Sequence, residues 1–126
     1  MLACDVYVQI RRNMFRVRSV TSGVERTIAS TVPFTTTRLL VGDFIAADDA
    51  LRAALSAVGA EWRRRFAPRV LKPRILMHPL EMTDGGLSAV EYRVLHELAH
   101  PARKTVVWLG AALSDLQVGE KLDQAK

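Results

Sequence analysis

The order of two hydrophobic periodicities along the chain constrains its fold most strongly. Near the start, apolar and polar residues alternate over 6–10 and again over 15–18, and a Thr-rich segment with apolar positions follows over 24–32. Alternation of this kind is typical of half-buried strands. Turn-forming residues separate the segments at 12–13 and 21–23. The first part of the chain therefore predicts a meander of three antiparallel strands.

A helical periodicity replaces the alternation from about Asp43 to Phe66. Leu51, Leu55, Val58 and Trp62 are spaced four, three and four residues apart, which places them on one side of a helix. This pattern predicts one long helix with a continuous apolar stripe that packs against the sheet.

Strand and helix patterns alternate in the second half of the chain. The apolar run 74–77 predicts a fourth, central strand that ends at His78 and Pro79, and 104–109 predicts a fifth strand. Between them, Ser88 and Glu91 have the spacing of a capping box. They open a second helix, which we expect to end near Ala99.

This order of elements, βββαβαβ, indicates the fold class. A meander followed by alternating helices and strands calls for a mixed sheet in which the later strands run parallel to the first and connect by right-handed crossovers. The tail from Ser114 adds at best a weak helix. We therefore predict an α/β fold with a mixed five-stranded sheet flanked by helices, in a single domain over 1–126.

Cysteine usage and the lack of a membrane span or leader indicate a cytoplasmic protein, and we expect no cofactor. The chain is 49% hydrophobic and 25% charged, which is ordinary for a globular domain. Its single cysteine, Cys4, excludes an internal disulfide and fits a reducing compartment. The apolar runs are too short to span a membrane, and the first residues lack the pattern of a secretory leader.

The formal net charge of +5 favours either solvation or an acidic protein partner. The candidate partner-binding basic patch consists of Arg63, Arg64 and Arg65. Nucleic acid is the less favoured partner, since Trp62 and Phe66 are better explained as core residues and no nucleic-acid motif is present. An unknown protein partner, with self-association as a further possibility, is the expectation.

The segment His96-Glu97-Leu98-Ala99-His100 has the HExxH spacing of zinc peptidases. On a helix the two histidines share a face and could hold one ion, with Glu97 as the general base. Pro101 follows the motif directly and disfavours a helical conformation for His100. This loosens a residue that a zinc site must hold in place.

A catalytic zinc also needs a third protein ligand. The available residues are His78, Asp115, Glu120 and Asp123. None of them belongs to a predicted element that places it beside the motif. The segment after the motif predicts a strand, whereas a small zinc peptidase would usually continue with another helix. We therefore expect no metal and interpret the motif as a solvated helix face. A zinc-dependent hydrolase that uses the motif is the alternative.

Three segments resemble the MreB-type bacterial actin family. They are Leu40–Phe44, Pro73–Pro79 and Val90–Ala99, which match the entry to a helix, a Pro-Arg-apolar strand and the following helix. This resemblance implies a ribonuclease H-like or actin-like fold. That family tends to have arginine where this chain has His96, which explains how an HExxH could arise without metal chemistry.

A larger part of the chain resembles small bacterial stress-response proteins of the YjaA type. The matching segments are Val6–Asn13, Arg38–Leu40, Leu80–Ser88 and Leu95–Glu97. This resemblance implies a role associated with stress but carries no mechanism.

Residues that actin-like and ribonuclease H-like enzymes require are missing. An actin-type phosphate site needs an Asp-x-Gly turn after the first strand, and this chain has 9–13, which contains neither residue. A nuclease of that fold needs a carboxylate where Val8 stands, because two metal ions cannot be held without such acids. We therefore expect a non-enzymatic binding or adaptor protein with a degenerate actin-like fold.

Overall fold

The computed structural model describes residues 4–60, 72–100 and 102–125. The strands in these ranges are β1 Asp5–Arg11, β2 Met14–Ser19, β3 Glu25–Ala29, β4 Arg74–Pro79 and β5 Lys104–Val107. The helices are α1 Phe44–Ala57, α2 Ala89–Leu98 and α3 Asp115–Gln124. Within these ranges, no helix is both long and apolar enough to cross a membrane.

The strands form one mixed sheet in the order β3-β2-β1-β4-β5. β1, β2 and β3 are antiparallel neighbours, whereas β4 pairs with β1 and β5 pairs with β4 in parallel. The predicted α/β class and mixed five-stranded sheet are therefore confirmed for the described residues. Each parallel pair is connected through a helical segment, since parallel strands cannot be joined by a tight turn.

A two-residue hairpin turn connects β1 to β2. Asn13 adopts a φ of 57°, a left-handed conformation that asparagine tolerates in turns. Its side-chain Oδ1 accepts hydrogen bonds from the backbone N–H groups of Phe34 and Thr35 at 2.9 and 2.8 Å. The turn thereby also holds the loop that leads into α1.

The main hydrophobic core lies between the sheet and the helices α1 and α2. Phe15 and Phe34 stack at its centre with ring centroids 4.9 Å apart. Leu51, Leu55 and Val58 are buried against the sheet, which confirms the predicted stripe over these residues. Trp62, the last residue of the predicted stripe, lies outside the described residues.

The predicted helix over 43–66 is wrong in its length, because α1 ends at Ala57. Gly59 has a φ of 76°, and its N–H bonds the carbonyl of Ser56 at 3.0 Å, while the Ala60 N–H bonds that of Leu55 at 2.8 Å. These two bonds form a Schellman motif, which glycine at this position stabilises. The apolar spacing continues through Val58 and hides this end.

Helix α2 agrees with its prediction at both ends. Ser88 and Glu91 form the expected reciprocal capping box, and the helix ends at Leu98 with Ala99 as the C-cap. Leu95 and Leu98 point into the core on the α1 side of the sheet.

The expectation of a weak helix in the tail is wrong, since α3 is well formed. Ser114 and Gln117 close a second capping box at its N-terminus. Val118 and Leu122 are fully buried against Tyr7 and Leu76 on the side of the sheet opposite α1 and α2. The sheet is therefore covered on both sides, and Tyr7 is buried on the α3 side.

Candidate functional site

A polar concavity lies on the α3 side of the sheet. Register pairs Gln9 with Arg16, Tyr7 with Arg18, and Arg18 with Glu25, so side chains from three strands share this side. Together with the start of α3 they line an open depression of about 500 Å³. We call it the polar depression; its lining residues are Tyr7, Gln9, Arg16, Arg18, Glu25, Leu113 and Asp115.

Tyr7, which lines the polar depression, is hydrogen-bonded to the buried His78. The Tyr7 hydroxyl lies 2.6 Å from Nδ1 of His78, and Nε2 of His78 lies 2.9 Å from the carbonyl of Gly110. A carbonyl only accepts, so Nε2 carries the proton and Nδ1 of the neutral ring accepts from the Tyr7 hydroxyl. The backbone N–H of Leu113 and the side-chain amide of Gln9 donate to the same hydroxyl at 3.2 and 3.3 Å.

This network uses the hydrogen-bonding capacity of both rings. The Tyr7 hydroxyl donates one bond and accepts two, and each His78 nitrogen has one partner. Burial lowers the pKa of His78, opposed by its bond to the Gly110 carbonyl. The imidazole is therefore neutral at physiological pH and has no free nitrogen for proton transfer. The pair connects β1, β4 and the loop before α3.

Two ion pairs form the rim of the polar depression. Arg18 binds Asp115 with two parallel bonds of 2.8 Å, and Arg16 binds Glu25 at 2.8 Å. The Arg18 guanidinium lowers the pKa of Asp115 through its hydrogen bonds and its charge. Each arginine faces one carboxylate, so the depression has little net charge. It is open and polar, whereas small-molecule sites are mostly enclosed and apolar.

A second group of charges holds the far end of α3. Arg74 donates to both oxygens of Asp5 at 2.7 Å and to Asp123 of α3 at 2.7 Å. The Lys104 ammonium donates to the carbonyl of Leu122 at 2.8 Å, near the C-terminus of the helix, where the helix dipole favours a cation. Helix α3 is thus attached to the sheet by ion pairs at both of its ends.

The HExxH residues lie elsewhere, on the solvent side of α2. His96, Glu97 and His100 are all exposed, and His100 lies beyond the last helical residue. Among the described residues, no group of three or more His, Cys, Asp or Glu side chains is placed to hold a metal ion.

The topology separates the HExxH motif from each residue that could serve as a third zinc ligand. Asp115, Glu120 and Asp123 belong to α3, which covers the opposite side of the sheet from α2. His78 is buried, and its side chain is bound to Tyr7 on the α3 side. The sheet therefore lies between the two histidines and these residues.

The remaining predicted sites divide into two cases. The basic patch of Arg63, Arg64 and Arg65 lies outside the described residues, so its placement stays a prediction. Cys4 is partly buried, and burial raises the pKa of its thiol. The thiol is therefore protonated and weakly nucleophilic at neutral pH.

Sequence reasoning named His78 only as a possible zinc ligand and missed its bond to Tyr7. The two residues are 71 positions apart and meet because β1 and β4 pair in parallel. The only available signal was a histidine at the end of an apolar strand.

The fold and the site define a class of protein: an α/β protein with a mixed sheet. The polar groups on the α3 side of this sheet are engaged in internal hydrogen bonds and ion pairs. The chain is 36% identical over 95 residues to the uncharacterised protein YjaA of Escherichia coli (strain K12), a match that covers 74% of this chain and 72% of YjaA. The chain therefore belongs to the YjaA family. No family model matches it.

Proposed function

We propose that this chain is a non-enzymatic binding or adaptor protein with a degenerate actin-like, ribonuclease H-like fold. It acts in the cytoplasm in association with a stress response, and it works without a cofactor. The observation that carries the proposal is the Tyr7 and His78 network, because the Tyr7 hydroxyl and both His78 nitrogens already have hydrogen-bond partners among the described residues and neither side chain is a free base or nucleophile. Catalytic groups need a free lone pair or proton aimed at a substrate.

The structure at the end of the sheet where an actin-like protein holds its nucleotide also supports a non-enzymatic role. Ligands of α/β proteins bind at the carboxyl ends of parallel strands, here the ends of β1 and β4. Arg12 is paired there with Glu81 at 2.9 Å. The apolar cavity next to Pro79 measures only about 20 Å³, far below the roughly 300 Å³ at which ligand pockets begin.

The charge distribution supports an acidic protein partner. Segment 61–71 contains four arginines and one glutamate, so more than half of the net charge of +5 resides in eleven consecutive residues. Arg63, Arg64 and Arg65 stand at its centre. Opposite charges on two partners accelerate association and select between partners, more than they add affinity.

Affinity capture from native lysate tests the proposal. We expect the purified chain to retain a stoichiometric protein partner, and replacement of all three arginines by glutamate to slow association and reduce its salt dependence. The matched control replaces them by lysine, which keeps the charge.

A second measurement addresses the alternative of a hydrolase. The chain is purified without added zinc, and its metal content and peptide hydrolysis are determined beside Glu97→Gln. Equimolar zinc with peptidase activity that Glu97→Gln abolishes would contradict a non-enzymatic role.

A further inference from the structure

A groove runs between the edge strand β3 and helix α1. One wall consists of the end of β3 and the residues after it, and the other wall is one side of α1. The groove has a volume of about 170 Å³, and its lining residues are Ile28, Ala29, Ser30, Thr31, Val32, Ala46, Asp49, Ala50 and Ala53. This volume admits aliphatic side chains but is smaller than the roughly 300–1,000 Å³ of small-molecule pockets.

The backbone of β3 next to this groove has N–H and C=O groups without a partner among the described residues. The Ser19 N–H donates to the carbonyl of Val24 at 2.8 Å, so Val24 points its backbone groups toward β2. These groups alternate in direction along an antiparallel strand. The N–H and C=O groups of Thr27 and Ala29 therefore point outward, at the free edge of the sheet.

The first part of this edge is blocked by the chain itself. The side chain of Arg26 donates to the carbonyl of Glu25 at 2.7 Å and occupies the acceptor that an added strand would use. Charged side chains on edge strands commonly prevent uncontrolled pairing. Within residues 4–60, 72–100 and 102–125, the half of the edge that adjoins the groove, at Thr27 and Ala29, has no such block.

The chemistry of the groove is apolar with a single charge. Alanine side chains form most of the α1 wall, and Val32 on the opposite wall is 55% exposed. Ile45 lies one helical turn before Asp49 on the same side of α1 and is 75% exposed, so it continues the apolar wall. Asp49 forms no ion pair among the described residues, in contrast to its neighbour Asp48, which binds Arg52 at 2.9 Å.

We propose that this groove binds an extended peptide segment of a partner protein, which adds to β3 as a further strand. The peptide would pair with the outward groups of Thr27 and Ala29, place alternate apolar side chains against the alanines of α1, and present a lysine or arginine to Asp49. Strand addition beside a helix obtains affinity from the backbone and specificity from alternate side chains. The inference rests on the proposed binding function and specifies the partner's chemistry.

A second copy of the chain fits this edge less well than a peptide. Antiparallel pairing of two β3 strands about Thr27 sets Glu25 opposite Ala29 of the other copy. The Glu25 carbonyl would then have to release Arg26 in both copies. A peptide can end before this position and leaves that bond intact.

Selection of phage-displayed random peptides on the full-length chain tests the proposal. Peptides of about ten residues are long enough for one strand. We expect the selected sequences to alternate apolar and polar residues and to carry one lysine or arginine. Fluorescence anisotropy with the synthetic peptides then measures their affinity for the variants.

Two pairs of variants separate the groove from general effects on folding. Ala53→Arg fills the groove and Thr27→Pro removes an outward N–H, a change that edge strands tolerate. Each should weaken binding by at least about tenfold, or 1.4 kcal/mol. Ala53→Ser, which leaves the groove open, and Thr27→Val, which keeps the N–H, should bind as the unchanged protein does. Asp49→Asn should weaken only peptides that contain the basic residue.

The outcomes distinguish this inference from the proposed function. If no peptide is selected, the proposal that the groove binds a peptide is wrong. It is also wrong if neither Ala53→Arg nor Thr27→Pro changes the affinity of the selected peptides. If such peptides instead shift the amide signals of the polar depression, the binding function stands and its site is there. A dimer in sedimentation that Thr27→Pro dissociates would make the second copy the occupant and the peptide proposal wrong. A hydrolase result in the zinc measurement contradicts the proposed function independently of the groove.

Discussion

The two sides of the sheet are stabilised by different interactions. On the side of α1 and α2, a continuous apolar core contains Phe15, Leu51 and Leu98 without any solvent exposure. On the side of α3, the buried apolar cluster consists of Tyr7, Leu76 and two residues of the helix. Ion pairs and hydrogen bonds also attach α3 to the sheet.

This difference predicts different responses to solution conditions. Stabilisation by apolar burial is insensitive to pH and moderate salt, whereas ion pairs at the surface weaken in acid and at high salt. The α3 side should therefore open first under acid or salt, and the α1 and α2 side should determine global unfolding. Local stability of this kind is measurable by hydrogen exchange.

The largest effect is expected in the core between the sheet and α1. Phe15→Ala removes a ring that stacks on Phe34 and should lower the free energy of unfolding by about 3–5 kcal/mol. Urea denaturation measures this change, and Phe15→Leu is the control that keeps most of the volume. If Phe15→Ala costs less than the changes on the α3 side described next, the two sides do not differ as we infer.

An intermediate effect is expected at Arg74. Arg74→Met leaves the carboxylate of Asp5, only 20% exposed, without its partner and detaches Asp123 of α3. A part-buried group that loses its hydrogen bonds costs about 1–3 kcal/mol. Hydrogen exchange should show the amides of α3 losing protection before those of α1. The exposed Arg26→Met serves as the control, and equal loss of protection in both helices would contradict local opening.

A pH effect follows from His78. Burial lowers its pKa in the folded state, so the unfolded chain binds a proton more readily below its ordinary pKa of about 6.5. The contribution of the neutral His78 ring to the stability of the fold is fully present above that pH. It is lost as the pH falls toward the lower pKa of the folded state. Thermal melting from pH 7.5 to 5 should show this loss, with a flatter profile in His78→Gln. Parallel profiles for the two proteins would show that folding does not lower the pKa of His78.

A smaller effect is expected from the ion pair at the start of α3. Arg18 lowers the pKa of Asp115, so the pair stabilises the fold above the ordinary aspartate pKa of about 3.9, and the effect is lost as the pH falls below that value. Asp115→Asn should reduce protection of the first turn of α3 at neutral pH and low salt. The variant and the unchanged protein should converge in acid or in 1 M salt. A difference that persists there would have to come from the capping of α3 instead.

The smallest effect is expected on the exposed side of α2. His96→Ala and His100→Ala should each change the free energy of unfolding by less than about 0.5 kcal/mol, as for other surface substitutions. Metal analysis of both variants and of the unchanged protein should give the same result. Tightly held, equimolar zinc that either variant loses would restore the zinc hydrolase as an interpretation.

Elements with strong local signals were predictable from the sequence. The capping box of Ser88 and Glu91 located α2, because a cap is formed by residues three positions apart. The same signal was present at Ser114 and Gln117 but was missed, since only Val118 and Leu122 supply the buried side of α3. The end of α1 was also encoded locally, by Gly59, but the apolar spacing that runs past it favoured a longer helix.

The sequence by itself determined the order and type of most elements and, through the rules of strand connection, the mixed sheet. Only the tertiary structure decided that Tyr7 meets His78, that α3 covers the side opposite α2, and that an open edge of β3 lies beside α1. The reason is physical: periodicity and caps depend on neighbours within a few residues, whereas the register of strands and the side that a helix covers depend on residues far apart in the chain.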